Sequence, residues 1–274
     1  MHKKVAVLGG GTGMSYLLRG LKEFPVDITA IITVSDNGKS TGKLREEFNT
    51  PAVGDIRKVI TNLSGTDDAI KEMMSYRFKT SSDLNGHAVG NLILTSMLEI
   101  TGSLKESIAC LSKLLDVKHQ VLPISEDSNL TLMGKDINGN IIEGEAEITK
   151  AHRKFERIYY KEEPKVLDEV LKAIEEADLI IFSMGSLYTS ILPNIICSEV
   201  KKSLNKSKAP IMYLCNAVTQ PGETDNYTVG DHIELLNKYL DSRKIDVVIA
   251  SNTKIDKKDI ILSYPLSIVK HLFV

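Results

Sequence analysis

The apolar positions of this chain switch between continuous runs, a three- to four-residue repeat and a strict alternation, and each period predicts a different element. Residues 5–8 (Val5, Ala6, Val7, Leu8) form a short apolar run, and residues 27–34 repeat it with Ile28, Ile31, Ile32 and Val34. Continuous runs suit strands covered on both faces. Between them Met14, Leu17, Leu18 and Leu21 fall on one helical face. The opening therefore predicts a βαβ unit with parallel strands and a right-handed crossover.

Residues 43–115 then read almost entirely as helix. Ile56, Val59, Ile60 and Leu63, then Ala69, Met73 and Met74, repeat at helical spacing. Ile93, Leu94, Met97 and Leu98, and finally Leu104, Ile108, Leu111, Leu114 and Leu115, do the same. Four helices with no strand between them predict a helical insertion beside the sheet. A short apolar segment follows at 120–124, and alternation around Asn138-Gly139 predicts a β-hairpin. Residues 120–150 are thus expected to form a small antiparallel excursion.

The α/β rhythm resumes with a helix over 166–176, a strand over 178–182, a loop over 183–188 and a helix through 200–204. A strand over 210–215, a helix over 233–240 and a strand over 245–250 follow. Residues 259–274 are apolar but carry no cap or glycine signal. The expected architecture is one α/β nucleotide-binding domain over residues 1–274, a Rossmann-like three-layer αβα fold with a mostly parallel sheet.

Composition narrows the function. The 274 residues carry a net charge of −2, so no global field draws the chain to nucleic acid or to an anionic membrane. No run approaches a membrane span, and Met1-His2-Lys3-Lys4 leads into a strand instead of a signal-peptide core. Cys110, Cys197 and Cys215 are scattered and lie at no metal-binding spacing; Cys110 and Cys215 sit in apolar stretches that favour burial. A reducing, cytoplasmic setting without membrane insertion follows, with the assembly state, a homo-oligomer included, left open.

The candidate chemistry sits where predicted strands end. Gly9, Gly10, Gly11, Thr12 and Gly13 follow the first strand and open a helix. Such a turn lets backbone N–H groups approach a phosphate at the positive end of the helix. The dinucleotide fingerprint is only partly met, because Met14 stands at its third small position.

After the second strand, Gly38-Lys39-Ser40 matches the end of a Walker A motif, but Thr33 stands where its first glycine is needed. Asp36 instead suits a ribose hydroxyl or a divalent ion bridging phosphates, with a solvated Asp36-Asn37 turn as the plain alternative. Taken by itself Asp55 reads as a helix N-cap with Arg57 exposed, and His87 as a polar surface group, with substrate binding as the other reading. Asn91 falls inside an apolar helix, where an amide needs a partner. Backbone near Gly185 and Ser186, and Asn216 after the next strand, end on the same rim of a parallel sheet.

Taken jointly, these segments resemble the gluconeogenesis-factor (YvcK-type) family, which is similar in fold to 2-phospho-L-lactate transferase (CofD-like). The resemblance rests on residues 7–13, on 33–38 continuing to Gly42-Lys43-Leu44-Arg45, and on Gly54-Asp55-Ile56-Arg57. It continues through 86–93, 185–194, Gln220-Pro221-Gly222-Glu223-Thr224 and Asp231-His232. This chain differs from the family pattern in having a single acid, Asp36, in residues 35–39, and Ser183-Met184-Gly185 in place of a glycine-proline-glycine run.

The candidate ligand-binding set is Gly9, Gly10, Gly11, Thr12, Gly13, Ser35, Asp36, Asn37, Ser40, Gly42, Lys43 and Arg45. Gly54, Asp55, Arg57, His87, Asn91, Gly185, Ser186, Leu187 and Asn216 complete it. The resemblance implies a cytoplasmic regulator that binds a UDP-sugar or related nucleotide and supports growth on gluconeogenic carbon sources and normal cell shape. Binding would require no cofactor, and NAD can occupy the same cleft. The alternative is a Mg2+-dependent phospholactyl transferase with Asp36 and Asp55 as its acids and Asp36 as a metal ligand. A third reading, an NAD-dependent dehydrogenase, rests on the glycine turn alone.

Overall fold

The computed structural model describes residues 2–252. The apolar segment 259–274 lies outside the described residues. Strand β1 (Lys3–Gly9) leads through helix α1 (Gly11–Leu21) to β2 (Val26–Ile32), the expected βαβ unit. Five helices then precede the next strand: α2 (Lys39–Phe48), α3 (Gly54–Leu63), α4 (Asp68–Ser75), α5 (Val89–Thr101) and α6 (Leu104–Leu114). The insertion therefore begins with one more helix than the apolar repeats predict. Helix α2 has low apolar content, so its pattern is weak.

Residues 120–124, expected in the antiparallel excursion, require a correction. Gln120–Pro123 forms β3, which pairs in parallel with β2 at the edge of the main sheet. An edge position suits Pro123, which has no N–H to donate. The excursion itself consists of β4 (Leu132–Asp136), β5 (Ile141–Glu143), helix α7 (Glu145–Lys150) and β6 (Phe155–Tyr160). The Asn138-Gly139 turn joins β4 to β5 as predicted, with Gly139 at φ +86°. The buried Asp136 carboxylate accepts from the Asn138 and Asn140 N–H groups and from the Asn140 amide, and pairs with Arg153.

The chain returns to the main sheet through α8 (Asp168–Glu175) and β7 (Leu179–Phe182). A π-helical turn (Leu187–Ile191) runs into α9 (Leu192–Ile195) and α10 (Ser198–Lys206), followed by β8 (Ile211–Leu214), α11 (Val229–Leu240) and β9 (Val247–Ile249). The main sheet is parallel throughout, in the order β3-β2-β1-β7-β8-β9. Right-handed crossovers place α1 and α10 on opposite faces; α1 packs on α3, and α10 on α8. That three-layer arrangement explains why Val7, Leu8, Ile31, Ile32, Ile180 and Phe182 are all buried.

Strand order reverses between β1 and β7, so the crevice at their carboxyl ends is the topological switch point. Among the described residues no helix is long and apolar enough to cross a membrane. Cys197 and Cys215 are buried, whereas Cys110, expected inside, is exposed.

Candidate functional site

The turns after β1 and β7 meet at the switch point. A Cβ on Gly13 would lie 2.4 Å from the Met184 carbonyl oxygen, and one on Gly185 would lie 3.6 Å from the Gly10 carbonyl oxygen. Any side chain at Gly13 would drive the two turns apart. Gly9, Gly10 and Gly11 line the same junction, while the Thr12 side chain points to solvent. Asn216, after β8, braces the β7 turn from behind. Its Oδ1 accepts from the Gly185 N–H at 2.9 Å, and its Nδ2 donates to the Gly185 carbonyl at 2.8 Å. Ser186 Oγ accepts from the Thr189 N–H and donates to Glu223 Oε2 at 2.6 Å. Leu187 is buried beneath the turn.

Carboxylates gather over this junction. Asp36 accepts from the Gly38 N–H at 2.8 Å, and its pKa is raised by burial and then by the charge of Asp55. Asp55 is not the N-cap of α3. Val53 takes that place, and Asp55 is buried in the first turn, 2.8 Å from Lys58 Nζ. Its other oxygen points at the glycine turn, 2.9 Å from where a Gly10 Cβ would stand.

Glu145 of α7 has its pKa raised well above the ordinary range by burial and by Asp36, Asp55 and Glu223. Glu223 is pushed up to about 7 by burial. Glu145 carries no sequence signal, because only the tertiary placement of α7 brings it here. Among the described residues no three His, Cys, Asp or Glu side chains converge on one metal position.

The loop after β2 docks the excursion onto the main sheet. Asn37 Oδ1 accepts from the Ala146 N–H of α7 at 2.8 Å. Ser35 is buried against Thr33. The Arg45 guanidinium faces inward and donates to four carbonyls, those of Ser35, Asp36, Ser128 and Leu130. Gly42 and Gly54 are in close contact with Asn37 and Thr41, and Lys43 lies exposed on α2.

A cleft of about 640 Å³ opens beside these acids, between the insertion and α7. It is lined by the expected residues Asp36, Asn37, Ser40, Gly54, Arg57 and Asn91, and also by Lys58, Arg77 and Lys150. Two expectations from sequence are reversed here. Arg57 is 5% exposed, not a surface residue, and His87 is 6% exposed. Both are drawn inside by one chain of hydrogen bonds. Arg57 Nε donates to Asn91 Oδ1 at 3.2 Å, Asn91 Nδ2 donates to Ser40 Oγ at 3.2 Å, and Ser40 Oγ lies 3.1 Å from His87 Nδ1. Asn91 thus has the partners its apolar helix requires.

Switch-point glycine turns at the carboxyl ends of a parallel sheet mark a Rossmann-like α/β protein. The chain belongs to the family of 2-phospho-L-lactate transferase CofD, whose model matches residues 5–264. It is 42% identical over 253 residues to the gluconeogenesis factor of Bacillus subtilis, covering 92% of this chain and 80% of that protein. It is 44% identical over 252 residues to a putative gluconeogenesis factor of Thermotoga maritima, covering 92% of this chain and 79% of the relative. The crystal structure of a UPF0052-family protein from Bacillus halodurans superposes with a TM-score of 0.94 at 39% identity, covering all of this chain (100%) and 88% of that one.

Proposed function

We propose that the chain is a gluconeogenesis factor that binds a UDP-sugar or related nucleotide at the switch point. In this reading it acts as a cytoplasmic regulator of growth on gluconeogenic carbon sources and of cell shape. The observation that carries the binding step is the junction of the β1 and β7 turns, where Gly13 and Gly185 bring two backbones together beside a cleft of about 640 Å³. A diphosphate suits the N–H groups of such turns, with sugar or base extending into the cleft. NAD is the alternative occupant of the same place.

A UDP-sugar at about 100 times its Kd is expected to stabilise the fold by about 2.7 kcal/mol, measured as a rise in the unfolding midpoint. No rise with any UDP-sugar, alongside a clear one with NAD, overturns the assignment.

A second reading, phospholactyl transfer, is favoured by the Asp36–Asp55 pair. Two neighbouring carboxylates, one with a raised pKa, are a donor set that Mg2+ accepts together with water and phosphate oxygens. Asp36 and Asp55 would hold the ion, which would neutralise charge on a transferring phosphoryl group. Turnover of a nucleotide-activated phospholactyl donor that Asp36→Asn abolishes would establish this reading over the regulator.

A further inference from the structure

Arg57 and Arg77 face the cleft from the helical insertion, and neither forms an ion pair among the described residues; Asp55, the acid whose charge Arg57 feels, is itself paired with Lys58. Among the described residues the arginines in ion pairs are Arg153 and Arg243. The cleft's Lys58 and Lys150 are already paired, with Asp55 and Glu147. Arg57, by contrast, spends its Nε on the neutral Asn91 amide and its Nη1 on Ser75 Oγ at 3.4 Å. Arg77 Nη1 is anchored on the Gly86 carbonyl at 2.7 Å, which fixes the fork while leaving its charge uncompensated.

The placement is built in. A Cβ on Gly90 would lie 2.7 Å from Arg57 Cγ and 2.8 Å from the Met74 carbonyl oxygen, so α5 closes on the stem of Arg57 only because residue 90 is glycine. Burial and the neighbouring Arg77 charge push the Arg57 pKa down to about 10. Two like charges held together in a half-desolvated site are costly unless an anion is shared between them.

We propose that Arg57 and Arg77 form a phosphoryl subsite, separate from the glycine turns, that binds the dianionic end of a phosphate monoester. A phosphate monoester carries nearly two negative charges near neutral pH and accepts paired N–H donors from guanidinium forks. It therefore matches two unpaired arginines better than a monoanionic carboxylate does. The subsite shares the cleft with the proposed nucleotide site but does not depend on that reading.

The test is calorimetric titration of the full chain with inorganic phosphate, alone and after saturation with UDP-glucose. The wild-type chain is expected to bind one phosphate, and Arg77→Gln to weaken it about ten-fold or more, since a charge-assisted pair is lost. Arg77 is exposed, so this variant is expected to keep the wild-type urea midpoint. Arg57→Lys, which keeps a charge but loses the fork, is expected to weaken phosphate less. Arg19→Gln, at an exposed position of α1, is expected to change nothing. UDP-glucose should bind equally well with and without phosphate.

Absence of phosphate binding at millimolar concentration, equal binding by Arg77→Gln, or competition between phosphate and UDP-glucose overturns the proposal. Competition would mean that the pair grips the nucleotide's own diphosphate. If UDP-glucose gives no heat while phosphate behaves as described, the nucleotide-sugar reading fails and the subsite stands.

Discussion

Arg45 and Arg57 sit on adjacent helices, α2 and α3, and both turn their guanidinium groups inward, yet their surroundings differ in kind. Arg45 gives its donors to four backbone carbonyls and thereby fastens the Asp36 loop to residues 128–130. Arg57 has one good hydrogen bond to a neutral amide, a long one to a serine, and a second arginine close by. The first site is complete as it stands. The second holds donors and charge in excess of what the protein itself can satisfy, which is how a binding wall differs from a structural clasp.

The largest expected effect lies at the clasp. Arg45→Met leaves four carbonyls without their donor and removes charge-assisted bonds, so it is expected to destabilise the fold by about 3 kcal/mol or more. Urea unfolding checks this. A loss below about 1 kcal/mol would mean that water replaces the guanidinium freely, and the contrast with Arg57 would collapse.

A second effect of similar size is carried by pH and belongs to the acids over the glycine junction. Glu223 is 1% exposed, and its pKa rises from an ordinary 4.5 to about 7 in the folded chain. The folded state therefore binds a proton that the unfolded state releases. Its contribution to stability is full below about pH 4.5 and is lost as pH rises through about 7. Glu223→Gln is expected to remove up to roughly 3 kcal/mol of that decline between about pH 5 and 8. Glu145 and Asp36, also raised, leave a residual slope of the same sign. Stability that falls equally with pH in both proteins would show that Glu223 is ionised in the folded state.

These contrasts mark how far the sequence is legible. Strands β1, β2 and β7 are covered on both faces, so their apolar runs are continuous and stand out. Strand β6 is hidden because its pattern is irregular. Phe155 and Ile158 are buried with exposed Glu156 and Arg157 between them, across from a register shift at Lys135 and Asp136. Alternation breaks at such a bulge.

The glycine turns are visible for a local reason: close backbone approach demands glycine at consecutive positions. Arg77 and Glu145 are invisible for the opposite reason, because each reaches the site only through contacts made elsewhere. Arg77 is held by Gly86 and by the bridge to Ala88, and α7 by Asn37. Burial of Arg57 and His87 likewise depends on Asn91 and Ser40, which lie on different helices and are joined only by the fold.

The smallest expected stability change belongs to Arg57 itself and sharpens the comparison most. Arg57→Met keeps much of the buried stem, removes a cation that burial disfavours, and relieves its repulsion with Arg77. Against this, Asn91 Oδ1 loses its donor, which costs about 1–3 kcal/mol for a buried acceptor. Replacing a buried charge by an apolar side chain of similar size returns a comparable amount, so the net change is expected to stay within about 1 kcal/mol. The variant should therefore unfold near the wild-type urea midpoint without ligand. Added phosphate should raise the wild-type midpoint and leave that of Arg57→Met where it was. A loss of about 3 kcal/mol, as expected for Arg45→Met, would make Arg57 a second clasp and its missing acid partner a consequence of packing alone.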